Sequence, residues 1–457
     1  MKTDNKQTTI QLLFASMFLL GLAACDNEQA ATTNKKTVVL SQGPTTGILA
    51  DSAVEGVSYS ASSGAAGITD TTGLYKYTHG DNIEFSIGKL NLGKIAGKGL
   101  TTPIDLAAGD QNKLLNLLIL FQSLDTDNNP GNGISIPQAA AAALDPSLDL
   151  TVDPGVFTTS PALTTAREAA DIPGSIKTAD EANTHFLSQA VNLLSNYLWI
   201  NEDDDSIRFF RFSNDGSGEY LNGVVTPDDS CDANRACGSR LVFTAGIEYG
   251  TTKAVDYDER GFKLASMPEV DTNIQSGLSH TRPNWRIYTN GDELIISDIV
   301  IVQREREQPG LFDELFHITK PLELSSDDEV AETTVQETRY RKMDNTQGIV
   351  GAWAANKDVI KSPVFLFFPN NRYMLIDPAG GTAQSECAKP GVELATYSFD
   401  ASSSTLKLSS FTYNTTGCSG LSGYVGKPIT FKIDTDTQNA TLSGEGLAAI
   451  TLHRISH

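Results

Sequence analysis

The chain has 457 residues, of which 40% are hydrophobic and 20% charged, and its formal net charge is −22 at pH 7. This length and hydrophobic content indicate about two to four domains with ordinary cores. Because 34 basic residues face 56 acidic ones, and phosphate binding requires clustered cations, we expect no nucleic-acid partner.

The first residues of the chain predict an export signal. Two lysines precede the apolar run LLFASMFLLGLAA, which is short for a transmembrane helix and ends in small residues, as secretory signals do. The string LAAC at residues 22–25 resembles the lipobox of bacterial lipoproteins. The resemblance implies that residues 1–24 are a cleaved signal peptide and that Cys25 carries lipid, including palmitate. If the signal were uncleaved, it would itself anchor the chain, and the rest would still lie outside the cytoplasm.

The lipobox also implies a location. The mature chain would be attached to the membrane by its lipid, on the extracytoplasmic side of the inner or outer membrane of a Gram-negative bacterium. Asp26 follows the cysteine, and in enterobacteria this residue type favours retention in the inner membrane. That rule varies between bacteria, so the sequence does not decide between the inner and the outer membrane.

Four further cysteines would lie in an oxidising compartment, where disulfides are favoured. Four cysteines allow three pairings. Cys231 and Cys237 are six residues apart in a short polar loop, so we expect them to pair with each other and Cys387 to pair with Cys418. A metal site is the alternative, but no histidine stands near these cysteines in the sequence and their spacing is not CxxC.

A polar tether and a small β module follow the signal. Residues 25–53 are rich in Thr, Asn and Ala and predict a tether. Short alternating strands, separated by Gly and Asp, begin at Val54. The string GITDTTGLYKY at 67–77 resembles a hairpin of small β-sandwich modules on bacterial surface proteins. Residues 54–136 as a whole resemble a module of adhesin-like lipoproteins, which implies a location rather than an activity.

Helices complete the module, which we expect to span residues 54–198. Residues 112–124 are apolar nearly all round and predict a buried helix. Pro137 opens a short alanine-rich helix, and residues 145–177 predict a loop. A capping box at Thr178 then begins a longer helix whose apolar face should pack on the module.

The segment LDTDNNPGNGISI, directly after the buried helix, starts as a calcium-binding EF-hand loop does. Asp125, Asp127 and Asn129 occupy alternate positions, but Pro130 replaces the required glycine and Ile136 the bidentate glutamate. We therefore expect a tight corner that caps the helix and turns the chain. A weak, non-EF calcium site at the same three residues is the alternative, and no other cofactor is expected.

From Trp199 onward the pattern is β and repeats. Three segments recur in the same order, and each series is opened by a tryptophan, Trp199 or Trp353. This predicts tandem copies of one β domain, 199–345 and 346–457, with chance similarity of aromatic strands as the alternative. The matched pairs of segments are 207–221 with 364–375, 246–264 with 391–408, and 290–305 with 439–455.

Each copy offers about seven or eight short strands, which predicts an antiparallel sandwich or small barrel. The string GAW at 351–353 resembles the G-x-W that opens the first strand of lipocalin-like barrels. The resemblance implies that Trp353 packs beneath an arginine near the last strand, which Arg454 can supply, with Arg304 as the counterpart for Trp199. The first copy lacks the glycine and has Tyr197 there. Another antiparallel β fold remains the alternative to a lipocalin-like barrel.

The sequence contains no convincing catalytic motif. G-x-S-x-G and H-E-x-x-H are absent, and the histidines are scattered. The near P-loop GKLNLGKI at 88–95 has isoleucine where a hydroxyl must bind magnesium. The string GEGLAA at 444–449 lacks the helix that follows a dinucleotide loop. Paired acids for glycoside cleavage cannot be selected from 56 candidates.

The predicted fold is mainly β with a minor helical part: a small β-sandwich module with buried helices, then two tandem antiparallel β domains, lipocalin-like barrels or sandwiches. The predicted function is that of a lipid-anchored cell-envelope protein with a non-catalytic binding, adhesion-like or structural role, its partner an envelope protein or surface ligand. The alternatives are a lipocalin-like carrier of a small apolar ligand and, below it, an extracytoplasmic hydrolase. A filled interior in both β domains favours the binding or structural role. An open, aromatic-lined cavity favours the carrier, and a cleft with converging acids favours the hydrolase. The sequence leaves the oligomeric state open.

Overall fold

A computed structural model describes residues 43–195, 197–202, 206–225, 245–273, 277–279, 284–302, 332–343, 348–380, 389–417, 420–434 and 436–455. All of them belong to one unit of the chain, Gln42–His457. The predicted signal peptide lies outside these residues, as do the lipidation site Cys25 and the cysteines Cys231, Cys237, Cys387 and Cys418. No helix in the described ranges combines the length and the hydropathy needed to cross a membrane.

The N-terminal module contains three small sheets in its described part, with strand orders β5-β1-β8, β4-β3-β6-β7 and β2-β9. Its strands are β1 (Pro44–Leu49), β2 (Val54–Glu55), β3 (Ser58–Ala61), β4 (Ala66–Ile68), β5 (Leu74–Thr78), β6 (Asn82–Ile87), β7 (Leu90–Ala96), β8 (Leu100–Thr101) and β9 (Ile134–Ser135).

The module begins earlier than predicted. Strand β1 lies inside the segment 25–53 that the composition assigns to a tether, and it pairs with both β5 and β8. Its sequence, PTTGIL, has too few alternating apolar positions to signal a strand, and its partners lie far along the chain. Because Leu49 is fully buried, the prediction that order begins at Val54 is wrong.

The module's helices are α1 (Pro103–Ala107), α2 (Gln111–Ser123), α3 (Gln138–Ala143), α4 (Pro154–Phe157), α5 (Pro161–Ala169) and α6 (Ala179–Leu194). The buried helix is confirmed, because most of α2 is inaccessible to solvent. The capping box is also confirmed, because the Thr178 hydroxyl accepts the Glu181 N–H at 3.2 Å and Glu181 accepts the Thr178 N–H at 2.8 Å. The predicted loop 145–177 is wrong where α4 and α5 form, each with proline at its first position.

Two closed antiparallel barrels follow, each with its strands in sequence order around the wall. Barrel 1 consists of β10 (Trp199–Glu202), β11 (Ile207–Phe212), β12 (Glu219–Val225), β13 (Ala245–Asp258), β14 (Gly261–Asp271), β15 (Arg286–Thr289), β16 (Glu293–Val302) and β17 (Glu332–Lys342). Barrel 2 consists of β18 (Gly351–Ala354), β19 (Val364–Phe367), β20 (Arg372–Asp377), β21 (Gly391–Asp400), β22 (Thr405–Asn414), β23 (Ile429–Asp434), β24 (Asn439–Gly444) and β25 (Leu447–Arg454). The fold class predicted from the sequence is therefore confirmed, with barrels rather than sandwiches.

The third sequence match between the copies is wrong by one strand. Segment 290–305 contains β16, the seventh strand of barrel 1, whereas 439–455 contains both the seventh and the eighth strand of barrel 2. The eighth strand of barrel 1 is β17, in which Lys342 pairs with Trp199 as Arg454 pairs with Trp353. Lys342 therefore occupies the position predicted for Arg304, which lies outside the described residues.

Candidate functional site

The interior of barrel 2 is filled by its own aromatic side chains. The rings of Trp353 and Phe431 lie 5.2 Å apart between centroids, and Phe367 lies 5.4 Å from Phe431 and 5.2 Å from Tyr397. Trp353, Phe367 and Phe431 are completely buried. Edge-to-face packing at these distances is favourable beyond simple area burial, so this layer is a packed core.

Barrel 1 is filled in the same way. Phe210 stacks on Phe212 at 5.8 Å and meets the edge of Tyr340 at 5.2 Å. At its lower end, where β10 begins, Phe186 of α6 contacts Tyr257 at 5.5 Å and Phe262 at 5.3 Å. Helix α6 was expected to pack on the module, but it also closes this end of barrel 1.

The two opening tryptophans make matching contacts. The Trp199 indole N–H donates to the Leu194 carbonyl at 2.7 Å, and the Trp353 indole N–H donates to the Ile349 carbonyl at 2.8 Å. The guanidinium carbon of Arg454 lies 4.2 Å from the centre of the Trp353 ring. A guanidinium over an indole face at this distance is a favourable cation–π contact, and it joins the pair that the resemblance to lipocalin-like barrels implied.

A buried glutamate is hydrogen-bonded at the same place in both barrels. In barrel 2, Glu393 of β21 accepts the N–H groups of Leu421 at 2.9 Å and Ser422 at 3.1 Å, and the Tyr373 hydroxyl at 3.2 Å. Burial raises the pKa of Glu393, while the N–H groups of Leu421 and Ser422 act in the opposite direction. The carboxyl thus holds the loop after β22 onto the barrel.

Barrel 1 repeats this arrangement with equivalent residues. Glu248 of β13 accepts the N–H groups of Leu278 at 2.8 Å and Ser279 at 3.0 Å, and also the Tyr220 hydroxyl. A Cβ on Gly277 would come within 2.5 Å of this carboxylate, and one on Gly420 would meet Glu393 equally closely. Glycine is therefore required at both positions. We call the glutamate, the tyrosine and the Gly-Leu-Ser segment of each barrel its glutamate lock.

The glutamate locks share a sequence signature that the repeat analysis missed. Segments 272–279 and 415–422 both read T-x-x-x-S-G-L-S. The threonine has the same contact in each, because Thr272 accepts the Ile247 N–H and Thr415 the Val392 N–H, both at 2.9 Å. The string SGLS could have been found by a direct search for exact internal repeats. It supports duplication more specifically than the aromatic strands do.

Each glutamate lock joins the fourth strand of its barrel to the connection between the fifth and sixth strands. Glu248 and Glu393 lie on the fourth strands, β13 and β21, and the Gly-Leu-Ser segments belong to the connections between β14 and β15 and between β22 and β23. We conclude that each lock holds this connection against the barrel wall.

The barrels pack against each other through the same four strands, the first to the fourth of each. The contributing side chains are apolar: Ile200, Ile207, Phe209, Leu221 and Ile247 from barrel 1, and Ala354, Val364, Leu366, Met374 and Val392 from barrel 2. This explains why phenylalanines occur in runs. Phe210 and Phe212 face the interior, whereas Phe209 faces barrel 2, so both sides of the strand are buried.

Polar contacts surround this apolar interface. Arg211 of barrel 1 donates to the carbonyl groups of Lys357 and Val359 in barrel 2, the latter at 3.3 Å. Burial lowers the pKa of Arg211 to about 10, so it stays charged at neutral pH. Glu202 forms an ion pair with Arg372 of barrel 2 at 3.4 Å. The contacts fix one barrel against the other.

The most unusual titratable cluster lies where the turn after β1 meets α6. Asp51 is completely buried, and its Oδ2 accepts a hydrogen bond from Gln122 at 2.8 Å. Its Oδ1 has no hydrogen-bond partner in the described structure and lies 3.8 Å from Nε2 of His185. Burial raises the pKa of Asp51 to about 8 and lowers that of His185 to about 4. At neutral pH the pair is thus a neutral carboxyl beside a neutral imidazole.

Ser52 brings a hydroxyl to the same histidine, but the three residues do not form a catalytic triad. The Ser52 Oγ lies 3.1 Å from Nε2 of His185, the same nitrogen that faces Asp51. A triad needs the acid and the serine on opposite ring nitrogens, so that one orients the base that the other uses. In addition, Ser52 donates its proton to the Pro130 carbonyl at 2.7 Å. The cluster therefore joins module segments rather than activating a nucleophile.

The segment LDTDNNPGNGISI forms the expected tight corner. Asp125 accepts the N–H groups of Asn129 at 2.8 Å and Ser135 at 2.9 Å. Asp127 accepts the Asn129 N–H at 3.0 Å and the Asn132 side-chain amide at 2.9 Å. All four carboxylate oxygens thus bind internal donors, and within the described ranges no group of three His, Cys, Asp or Glu residues is arranged to hold a metal. The left-handed backbone angle falls on Asn128, at φ +59°, as well as on Gly133.

Comparison with known proteins assigns neither a family nor a function to the chain, because no protein-family model, no curated protein and no solved structure matches it.

Proposed function

We propose that this chain is a lipid-anchored protein of the bacterial cell envelope, in which the module and both barrels form a rigid, non-catalytic body with a structural or adhesion-like binding role. The observation that carries the proposal is the filling of both described barrel interiors by their own aromatic side chains. A carrier of the lipocalin type needs its interior for the ligand, whereas here that space is core.

The packing between the parts supports the same proposal. Helix α6 closes the lower end of barrel 1, the glutamate locks hold a connection against each barrel wall, and the barrels share a continuous apolar interface. A body built in this way can hold a binding surface at a fixed distance from a membrane. The Asp51, Ser52 and His185 cluster offers no support for the hydrolase alternative, because acid and serine face the same ring nitrogen.

The lipid anchor rests on the LAAC string at 22–25. Cells producing the full chain can be grown with radiolabelled palmitate, and we expect label in the wild-type protein and none in Cys25→Ala. Cys231→Ala serves as the matched control and should keep the label. An unlabelled wild-type chain that is nevertheless exported would contradict the anchor.

The binding role can be tested by comparing the wild type with a version in which residues 1–25 are replaced by a cleavable secretory signal without the lipobox cysteine, so that neither lipid nor uncleaved signal remains as an anchor. Cross-linking in intact cells, followed by recovery of the chain, should yield specific envelope proteins or surface polymers with the wild type. The lipid-free version should recover them in reduced amount because the body is no longer held at the membrane. Recovery of identical partners in identical amounts from both would contradict an anchored role.

A further inference from the structure

The turn after β1, residues 50–53, is fastened to other parts of the module through its side chains. A bridge joins the first and last residues of the turn, and Asp51 and Ser52 form its tip. Asp51 accepts the side-chain amide of Gln122 in α2 at 2.8 Å, and Ser52 donates to the Pro130 carbonyl at 2.7 Å. These contacts hold the tip against α2 and against the corner that follows it.

His185 of α6 lies at the same tip. Its Nε2 is 3.1 Å from the Ser52 oxygen and 3.8 Å from Oδ1 of Asp51. The Asp51 side chain is completely buried, whereas 13% of the His185 side chain is exposed. Burial disfavours the ionised form of both groups. Two groups that resist ionisation therefore meet where the turn touches α6.

Other ionisable groups of the surrounding elements are Tyr257 of β13, Lys177 before α6, and Asp125 and Asp127 of the corner. Tyr257 donates its hydroxyl proton to Asn183 at 2.7 Å, and burial raises its pKa to about 12, so it is uncharged at neutral pH. Lys177 donates to the Asn128 carbonyl at 2.9 Å, and its positive charge adds to the effect of burial on His185. The oxygens of Asp125 and Asp127 bind donors within the corner. The charge changes at this contact near neutral pH therefore belong to Asp51 and His185.

Burial shifts these two groups in opposite directions. The pKa of Asp51 rises from 3.8 to about 8, and that of His185 falls from 6.5 to about 4. When the turn lifts away from α6, both groups reach water and regain their ordinary values. Between about pH 4 and pH 6.5 each state then holds one proton, on Asp51 when closed and on His185 when open. Between pH 6.5 and about pH 8 only the closed state holds a proton, so opening releases it and becomes more favourable as pH rises.

We propose that turn 50–53 is a pH-sensitive latch, which holds the end of β1 against α6 in mildly acidic surroundings and opens increasingly as the pH rises through neutrality. The open fraction grows tenfold per pH unit in this range, or about 30-fold from pH 6.5 to pH 8. Because α6 also closes barrel 1, the latch sets how firmly the start of the folded body is joined to that barrel. It goes beyond the proposed envelope role and does not depend on the lipid anchor.

Hydrogen exchange of the purified chain between pH 5 and pH 9 measures the opening. The reporter is the Ile134 N–H, which donates to the Ala53 carbonyl of the turn at 2.9 Å and loses this partner when the turn lifts. After correction for the intrinsic exchange rate at each pH, we expect a constant wild-type rate from pH 5 to pH 6.5 and a rise of about 30-fold by pH 8. The amides of β6, in another sheet of the module, should show no such rise.

Two variants separate the contributions of the pair. Asp51→Asn leaves only His185 to titrate, so the corrected rate should fall about 30-fold from pH 5 to pH 6.5 and then stay constant. His185→Gln keeps a donor for Ser52 and leaves only Asp51, so the rate should rise about tenfold per unit from pH 5 to pH 8. Asp180→Asn, at an exposed aspartate of α6, is the matched control and should follow the wild type. Thermal unfolding establishes that each variant is folded.

Opposite pH slopes in Asp51→Asn and His185→Gln would support the latch, because a merely structural role of either residue would change the exchange rate equally at every pH. The proposal is overturned if the corrected wild-type rate at Ile134 does not depend on pH, or if Asp51→Asn keeps the wild-type rise. It is equally overturned if the amides of β6 change in parallel with Ile134, since the module would then unfold as a whole.

Discussion

Replacing Asp51 by asparagine should stabilise the protein at neutral pH, which is the reverse of what most substitutions of buried residues do. The carboxyl is completely buried, accepts one hydrogen bond from Gln122, and has its other oxygen without a hydrogen-bond partner in the described structure. Burial raises its pKa from 3.8 to about 8. Asparagine has the same shape and carries no charge, so it can keep the Gln122 contact through its oxygen and direct its amide toward His185.

The sign and size of this change in the free energy of unfolding follow from proton linkage. Between pH 4 and pH 8 the folded state holds a proton on Asp51 that the unfolded chain has released, so the free energy of unfolding falls as pH rises through this window. At pH 7 the solution lies about three pH units above the unfolded pKa of 3.8. At about 1.4 kcal/mol per unit, keeping the proton costs about 4 kcal/mol. Asp51→Asn removes this cost, and it should change stability little at pH 4.

Urea unfolding at pH 4, 5.5 and 7, followed by tryptophan fluorescence, measures the effect. The difference between Asp51→Asn and wild type should grow with pH and reach as much as about 4 kcal/mol at pH 7. Asp436→Asn, at an exposed aspartate, is the control and should follow the wild-type pH profile. The reasoning is refuted if Asp51→Asn is less stable than wild type at pH 7, or if both proteins lose stability with pH equally.

Three further predictions concern the packing and the cysteines. Glu393→Gln places a side-chain amide against a backbone N–H of the glutamate lock, so we expect a loss of about 1–3 kcal/mol in unfolding free energy and faster hydrogen exchange at residues 421–422; unchanged exchange would count against the lock. Phe186→Ala removes a fully buried ring from the end of barrel 1 and should cost about 3–5 kcal/mol in a urea titration, whereas a cost under about 1 kcal/mol would mean that the helix does not close the barrel. Peptide mass mapping under non-reducing conditions should find one disulfide within 231–237 and another joining Cys387 to Cys418, and a cross-link between these two sets would refute the pairing.

The fold class could be predicted because barrel strands leave a local signal. The runs around Phe209 and Phe365 are nearly continuous in apolar residues, which is typical of strands buried on both faces. The sequence could not tell which residue of a run faces the interior and which faces the other barrel, because that depends on how the two walls meet. Strand β1 escaped prediction for a related reason, since its short sequence acquires order through partners far along the chain.

The site residues were less predictable than the fold. Asp51, Gln122 and His185 come together from three distant segments, and none belongs to a motif that signals a buried cluster. The glutamate locks, in contrast, carry a recoverable signal, because the SGLS string occurs in both copies at the same distance after a threonine. The corner after α2 was predicted from Pro130 and Ile136, both of which conflict with an EF-hand loop. Arg304 was assigned by matching 290–305 to the end of barrel 2. The eighth strand of barrel 1 is β17, which begins only at Glu332, so the match pointed to the wrong strand.

The most direct test of the central claim is a titration of the purified chain with N-phenyl-1-naphthylamine, an uncharged apolar probe whose fluorescence rises in an apolar cavity. Because both described barrel interiors are packed with their own aromatic rings, we predict no saturable binding by the folded chain. Saturable binding that is lost when the chain is unfolded in urea would contradict this account and favour a carrier with an open barrel.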